Sequence, residues 1–376
     1  MLAGFFDGVR MKILHVVPSF GLGGMERVLS SLINAFPAGI EQEVFVLNGE
    51  MEARKWVQQR NVHFLSFSRP AGNIRYWAAL FRVLKEAVPS ILMTYNWGAT
   101  DAIWLGRLAG ISNIFHSEHG FNVDEAHETN WKRDLIRYVV YRLTTSVIVV
   151  SQFLKKIMEH KYSLYSSRVS FIRNGIDTDF YSPDEYERKK YRVDLGFQTQ
   201  DVVIGFSGRL DPVKNLILLM QVFGEVRKRN PRFKLLLIGD GPERTNLEEH
   251  SREYGLENVV LFVGNQSNVR PFLRVLDVFM LTSVREQMPM SMLEAMSVGV
   301  PVVASSVGEI PYMLDNQQAG FVCDLSQGTQ PFGEALMALG EDQDRRRRGR
   351  SARELVLERF QEHDMIRSYW DLLGRI

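Results

Sequence analysis

The chain has 376 residues, of which 45% are hydrophobic, 45 are Lys or Arg and 44 are Asp or Glu, for a formal net charge of +1. At roughly 150 residues per domain, that length implies two domains with full hydrophobic cores, and the composition excludes a disordered or collagen-like chain. The near-neutral balance argues against a partner held mainly through nucleic-acid phosphates, and Cys323, the single cysteine, leaves neither an intramolecular disulfide nor a cysteine-rich zinc site and fits a reducing compartment.

Residues 1–10 carry no periodicity and read as a tail, with ordered structure expected from about Met11. The opening is too short and too early-charged for a signal peptide, and no run approaches the ~18 apolar residues of a membrane span. A cytoplasmic protein is expected. From Lys12 onward, short apolar or β-branched runs alternate with amphipathic stretches, the pattern of βα units on a parallel sheet. Strands are expected at 13–17, 44–47, 62–66, 91–95, 114–117, 146–150 and 169–172. Asn174 to Pro183 is turn chemistry without a helical period, and the charged stretch 184–190 follows it. This is the expected boundary, giving domains 11–178 and 179–360. The alternation restarts at 202–207, 234–238, 259–263, 278–281 and 300–304. A last helix, 362–373, carries Met365, Ile366, Tyr369, Trp370, Leu372 and Leu373 at helical spacing, and periodicity does not say what it packs against. Open parallel sheets bind ligands at the carboxyl ends of their strands, so the active site is expected between the halves.

Four segments could carry chemistry. Gly21, Gly23 and Gly24 lie between the first strand and a helix expected at 26–36, where backbone can approach a ligand and helix N–H groups can meet an anion. Their spacing is not Gly-x-Gly-x-x-Gly, which weakens a dinucleotide reading. Arg209 and Lys214 leave the end of the 202–207 strand five residues apart and could clamp a diphosphate, although single charged residues are more often solvated. Glu286 and Glu294 flank Pro289, which suits the first turn of a helix from about Met290. The two carboxylates could accept sugar hydroxyls, and the N–H groups of Met290 and Ser291 could receive phosphate. Spacing alone would equally give an ordinary pair of helix glutamates, and two carboxylates keep glycoside hydrolysis open. His119, followed by Gly120 just past a strand, faces the expected cleft. No other His shows metal-ligand spacing, and Asp177-Thr178-Asp179 has its own turn-forming explanation, so no metal is assigned. P-loop and nucleophile-elbow motifs are absent.

Taken in order, several segments resemble the retaining nucleotide-sugar glycosyltransferases of family 4. They are Gly23-Gly24, Glu118-His119-Gly120, Arg173-Asn174-Gly175-Ile176-Asp177, Gly208-Arg209-Leu210 with Lys214-Asn215, Ile238-Gly239-Asp240-Gly241-Pro242, Glu286 with Glu294-Ala295-Met296, and Gly299-Val300-Pro301-Val302-Val303-Ala304. The resemblance implies an α/β GT-B fold, two Rossmann-like domains facing across a cleft, with the C-terminal helix (about 361–376) crossing back to the first. It implies that Arg209 and Lys214 bind the donor diphosphate, Glu294 the ribose and Glu286 the transferred sugar. Gly23 and Gly24 would lie close to the phosphates and His119 beside sugar and acceptor. It also implies a hexosyltransferase-type reaction without metal or cofactor, from a nucleoside-diphosphate sugar to a glycan or lipid-linked acceptor, with retention by same-face attack. Gln287-Met288 stands where the family commonly has Gly-Phe, and Gly308-Glu309-Ile310-Pro311-Tyr312 replaces Gly-Gly-x-Pro-Glu. The donor sugar and the contacts of that loop therefore do not transfer. The Glu-Gln-Met-Pro form, with Asn96-Trp97-Gly98-Ala99, looks like bacterial members that build surface polysaccharide or lipopolysaccharide. A nucleotide-sugar 2-epimerase and a non-catalytic sugar-nucleotide-binding protein share the architecture and stay open. Two segments hint at peripheral contact with the inner membrane face, Trp131 to Arg142 and the run Arg345 to Arg350, the latter reading first as a solvated face.

Overall fold

The computed structural model describes residues 11–67, 72–120, 130–315 and 317–374; the expected tail at 1–10 lies outside them. The chain divides into two units, one running to Gly175 and taking back the chain from His363, the other Ile176–Glu362. The expected boundary stood at 178/179.

The first unit is built on seven parallel strands: β1 (Lys12–Val17), β2 (Glu41–Val46), β3 (Val62–Ser66), β4 (Ile91–Tyr95), β5 (Ile114–Glu118), β6 (Ser146–Val149) and β7 (Val169–Phe171), in the order β3-β2-β1-β4-β5-β6-β7. Strands such as β4 are buried along their whole length, as a parallel sheet covered on both faces requires. β2 begins three residues before its hydrophobic run because Gln42 is fully buried, its Nε2 donating to the Ile33 carbonyl at 3.1 Å. The helix Glu362–Leu373 belongs to this unit. Met365, Tyr369, Trp370 and Leu373, spaced along one helical face, are buried. Trp370 packs on Phe36 with ring centroids 5.6 Å apart, and the Tyr369 hydroxyl lies 3.4 Å from Ser117 Oγ.

The second unit has six parallel strands: β8 (Val202–Ser207), β9 (Phe233–Ile238), β10 (Val260–Gly264), β11 (Val278–Leu281), β12 (Val302–Ser305) and β13 (Gly320–Cys323), in the order β10-β9-β8-β11-β12-β13. β12 starts after Pro301, which has no N–H to give the ladder. β13 was not expected from the sequence. It is short, and its Gly320 lets the strand close on β12 where any Cβ would overlap the Val302 carbonyl. The charged stretch 184–190 opens the helix Glu185–Asp194, whose Arg188 and Arg192 reach the buried Asp277 at 2.7 and 2.9 Å. Nor is the arginine run a plain solvated face. Arg345 pairs with Asp342 at 2.7 Å and Asp277 at 3.5 Å, and Arg348 turns in over the Phe321 ring, while Arg346 and Arg347 stay exposed beside Asp342 and Asp344. Among the described residues no helix is long and apolar enough to cross a membrane.

Candidate functional site

In each sheet the order reverses once, between β1 and β4 in the first and between β8 and β11 in the second. Loops leaving the carboxyl ends of such strands diverge and open a crevice for ligand. In the second unit β8 leads through Gly208 and Arg209 to a short turn, Pro212–Lys214, which Asp211 caps by accepting from Val213 N–H. Thr282, just past β11, donates its hydroxyl to the carbonyls of Lys214 and Asn215 at 3.1 and 2.9 Å, and Val284 N–H donates to Val213. The two loops are thereby stitched together, and Lys214 Nζ lies 2.6 Å from Glu286 Oε1. The same carboxylate oxygen accepts from Ser283 Oγ at 2.8 Å, and the Ser283 carbonyl accepts from Ser305 Oγ at the end of β12. From the other side, Gly308 packs so closely on Glu286 that a Cβ would overlap its carbonyl, and Glu309 N–H donates to Gln287. A carboxylate and an ammonium are thus fixed at the switch point by three strand ends.

The helix Met290–Ser297 follows at once, as expected, with Pro289 at its N-cap and no side chain capping it. The first-turn N–H groups of Met290 and Ser291 therefore have no partner within the helix and carry its positive pole. Glu294, one turn in, is buried, and its Oε1 accepts from the Tyr181 hydroxyl at 2.9 Å. Tyr181 is itself held through its carbonyl by Ser297 Oγ and Arg353. Sequence reasoning passed over Tyr181 because it sits in the boundary turn. Of the two cations expected to clamp a diphosphate, Arg209 is 72% exposed and pairs with Asp211 at 3.5 Å, and Lys214 engages Glu286.

In the first unit, the helix after β1 begins at Gly24, two residues before the expected start, and Gly23 is its extended N-cap without a side-chain cap. A side chain at Gly23 would run into the Glu26 carboxylate. Burial, with Glu50 nearby, pushes Glu26 up to about 7. Across the switch point, His119 follows β5. Its N–H donates to Asn96 Oδ1 at 2.8 Å, and its Nε2 lies 3.0 Å from Ser117 Oγ, which reaches on to Tyr369. Burial pushes the His119 imidazole down to about 4, so it is neutral at pH 7. Beneath it, Glu118 accepts from the Tyr141 hydroxyl at 2.8 Å and lies 3.7 Å from His116. Burial alone would raise Glu118, but His116, Arg137 and Tyr141 outweigh it and hold the carboxyl below its usual range. Asn96 follows β4 and Glu118 ends β5, and strand-end position is the signal that marks them.

Among the described residues no three His, Cys, Asp or Glu side chains gather as a metal cluster. The family model described as Glycosyl transferases group 1 matches residues 187–355, and that described as Glycosyltransferase Family 4 matches residues 22–180. EpsF of Bacillus subtilis (strain 168), which carries the name of a glycosyltransferase, is 26% identical over 322 residues, 78% of this chain and 79% of its own. The UDP-Gal:alpha-D-GlcNAc-diphosphoundecaprenol alpha-1,3-galactosyltransferase of Escherichia coli is 26% identical over 271 residues, 70% of each chain. Among solved structures, HepE of Anabaena in complex with UDP and glucose superposes with a TM-score of 0.84 at 20% identity, covering 97% of this chain and 100% of that one. The lipopolysaccharide outer core galactosyltransferase WaaB, in its apo form, gives 0.70 at 20% identity with the same coverage. These two structures share the fold with this chain.

Proposed function

Because the chain belongs to the glycosyltransferases of family 4 and has their GT-B fold, we propose that it moves a sugar from a nucleoside-diphosphate sugar to a glycan or lipid-linked acceptor. The proposal includes retention of configuration, independence of metal, and a place in bacterial surface-polysaccharide or lipopolysaccharide synthesis at the inner membrane face. The observation that carries it is the Lys214–Glu286 pair, fixed at the switch point of the second sheet.

In this reading the Lys214 ammonium and the N–H groups of Met290 and Ser291 take the donor diphosphate, with Arg209 swinging in from solvent. Glu286 accepts hydroxyls of the transferred sugar, and Glu294, oriented by Tyr181, bonds the ribose. Gly23 and Gly24 let the first unit's backbone approach the phosphates, and neutral His119 acts as a hydrogen-bond partner to sugar and acceptor. As the bond from the anomeric carbon to the diphosphate breaks, the acceptor oxygen bonds on the same face and its proton passes to the departing phosphate oxygen. The protein's part is positioning and stabilisation of leaving-group charge. The UDP seen with HepE makes uridine the first base to test.

The purified chain is offered UDP-, GDP- and ADP-sugars in EDTA with glycan and polyprenyl-diphosphate-sugar acceptors, and product configuration is read by NMR. Acceptor-dependent release of nucleoside diphosphate with a retained anomeric centre is expected. Loss of turnover on chelation overturns metal independence. A new nucleotide sugar formed without acceptor would make the chain an epimerase.

A further inference from the structure

The helix Trp131–Val140 in the first unit is turned the wrong way round for a helix in water. On an α-helix, residues 131, 135, 138, 139 and 142 share a face. Here Trp131, Leu135, Tyr138 and Val139 are 68%, 56%, 43% and 53% exposed, with Ile136 beside them at 43%. Arg133, Asp134 and Arg137 turn inward instead. Arg137 is only 2% exposed, lying over the Trp97 ring with its Cζ 4.8 Å from the centroid, and Arg133 stacks on the same ring. Asp134 is engaged by Lys161 at 2.8 Å and by the Tyr162 hydroxyl at 2.7 Å. The orientation is therefore locked: rolling the helix to hide its apolar face would strip these charges of their partners. Five adjoining large apolar groups form a patch of the kind that marks an interaction surface.

Charge and residue type identify what the surface fits. Lys132 lies on the exposed face. Arg142, which lies over the Tyr138 ring, donates to the carbonyls of Tyr162 and Ser163 and ties the helix to the turn bearing Tyr165, 80% exposed. Lys161 stands at the same edge, and the one acidic group of the helix, Asp134, is already paired. An apolar strip with Trp and Tyr among its members and a cationic rim matches the boundary between lipid headgroups and acyl chains, where an interfacial helix lies flat. We propose that this face docks the protein on an anionic bilayer, with Trp131, Leu135 and Val139 entering the acyl boundary and Lys132, Arg142 and Lys161 meeting headgroup phosphates. The choice of a lipid surface rests on the acceptor class proposed above; the binding itself does not.

The full chain is co-floated, without donor or acceptor, with vesicles of phosphatidylcholine alone or with about one third phosphatidylglycerol. Binding to the anionic vesicles is expected, weakened by salt and reduced at least tenfold in Leu135→Glu with Val139→Glu. Both positions are exposed, so folding is kept and circular dichroism checks it. Lys132→Glu should weaken binding to anionic vesicles. Ile74→Glu, an exposed apolar residue on another helix of the same unit, serves as the control and should bind as the unaltered chain does. The proposal falls if the double variant floats like the unaltered chain, if Ile74→Glu loses as much, or if the double variant instead dissolves a dimer seen by sedimentation. Transfer to a water-soluble acceptor, measured in parallel, separates failure of docking from failure of the glycosyltransferase reading.

Discussion

Gly308→Ala tests whether the loop after β12 holds Glu286 in place. Gly308 has φ +56, and an added Cβ would overlap the Glu286 carbonyl, a backbone atom that cannot swing aside. The left-handed conformation costs an alanine about 1 kcal/mol, and overpacking against rigid backbone adds roughly 1–3 kcal/mol, so the second unit should lose about 2–4 kcal/mol. Gly255 supplies the control: its φ is +63 and nothing lies within 4 Å of the added carbon, so Gly255→Ala should cost only the backbone part, about 1 kcal/mol. The displacement at 308 also reaches Glu309 N–H, which donates to Gln287, and so moves the loop that brings the Glu286 carboxylate to Lys214. Losing a charged hydrogen bond to a sugar hydroxyl costs about 1.5–3 kcal/mol, or roughly tenfold to a hundredfold in donor affinity. Urea denaturation gives the stabilities, and calorimetric titration with a nucleotide sugar and its parent diphosphate gives the affinities. The sugar-dependent increment should shrink in Gly308→Ala and survive in Gly255→Ala. Equal stabilities for the two variants, or an unchanged sugar increment, would refute the reasoning.

Lys214→Met should lower affinity for a nucleoside diphosphate roughly tenfold to a hundredfold and leave affinity for the free nucleoside untouched; calorimetry showing equal losses for both ligands would remove Lys214 from the phosphate site. Glu26→Gln probes pH. Since the folded carboxyl is raised from 4.5 to about 7, the unfolded chain ionises first and the native state loses stability as pH rises between those values, by about 3 kcal/mol in all. The variant should therefore be more stable than the unaltered chain at pH 7.5 and equal to it near pH 4.5, and a pH-independent difference in urea midpoint would contradict this. His15, buried and pushed from 6.5 down to about 4, acts in the opposite sense: its neutral form is required, so stability present above 6.5 is lost as pH falls toward 4. Asp277→Asn leaves Arg188, Arg192 and Arg345 facing a neutral amide and should destabilise the second unit by roughly 3–5 kcal/mol; a denaturation shift worth under about 1 kcal/mol would show the cluster to be dispensable.

Strands at 62–66, 91–95, 202–207 and 278–281 were legible to the residue, because each is an apolar or β-branched run bounded by turn residues. β13 was not, since it opens on glycine and only Phe321, Val322 and Cys323 continue it, and Gly320's fit against β12 is a tertiary fact. The candidate site divides the same way. Lys214 and Glu286 could each be picked out by position at a strand end, but they are 72 residues apart and meet only because β8 and β11 are neighbours, an order that alternation of strands and helices does not encode. Arg209 and Lys214, five apart in sequence, were the more natural pair on paper, yet they engage different carboxylates. Tyr181 lay in a turn, where side-chain direction has no period to betray it.

The two sheets carry one permutation: the loop after the first strand of each lies beside the loop after its fourth. What differs is charge. In the first unit that crevice holds Ser19 bonded to Glu50, with Glu26 close by, and Gly98 pressed on the Pro18 ring so that no side chain fits between the loops. In the second it holds Lys214 and an uncapped helix start. The positive pole of the second setting favours a diphosphate; in the first, burial with Glu50 nearby raises Glu26 to about 7, which eases the repulsion a phosphate would meet beside Gly23 and Gly24. The same architecture thus yields one crevice with a fixed ammonium and one lined by carboxyl groups, with uncharged His119 at its edge. That asymmetry, written in side chains on a shared topology, is what favours the second unit as the donor side in the proposed reading.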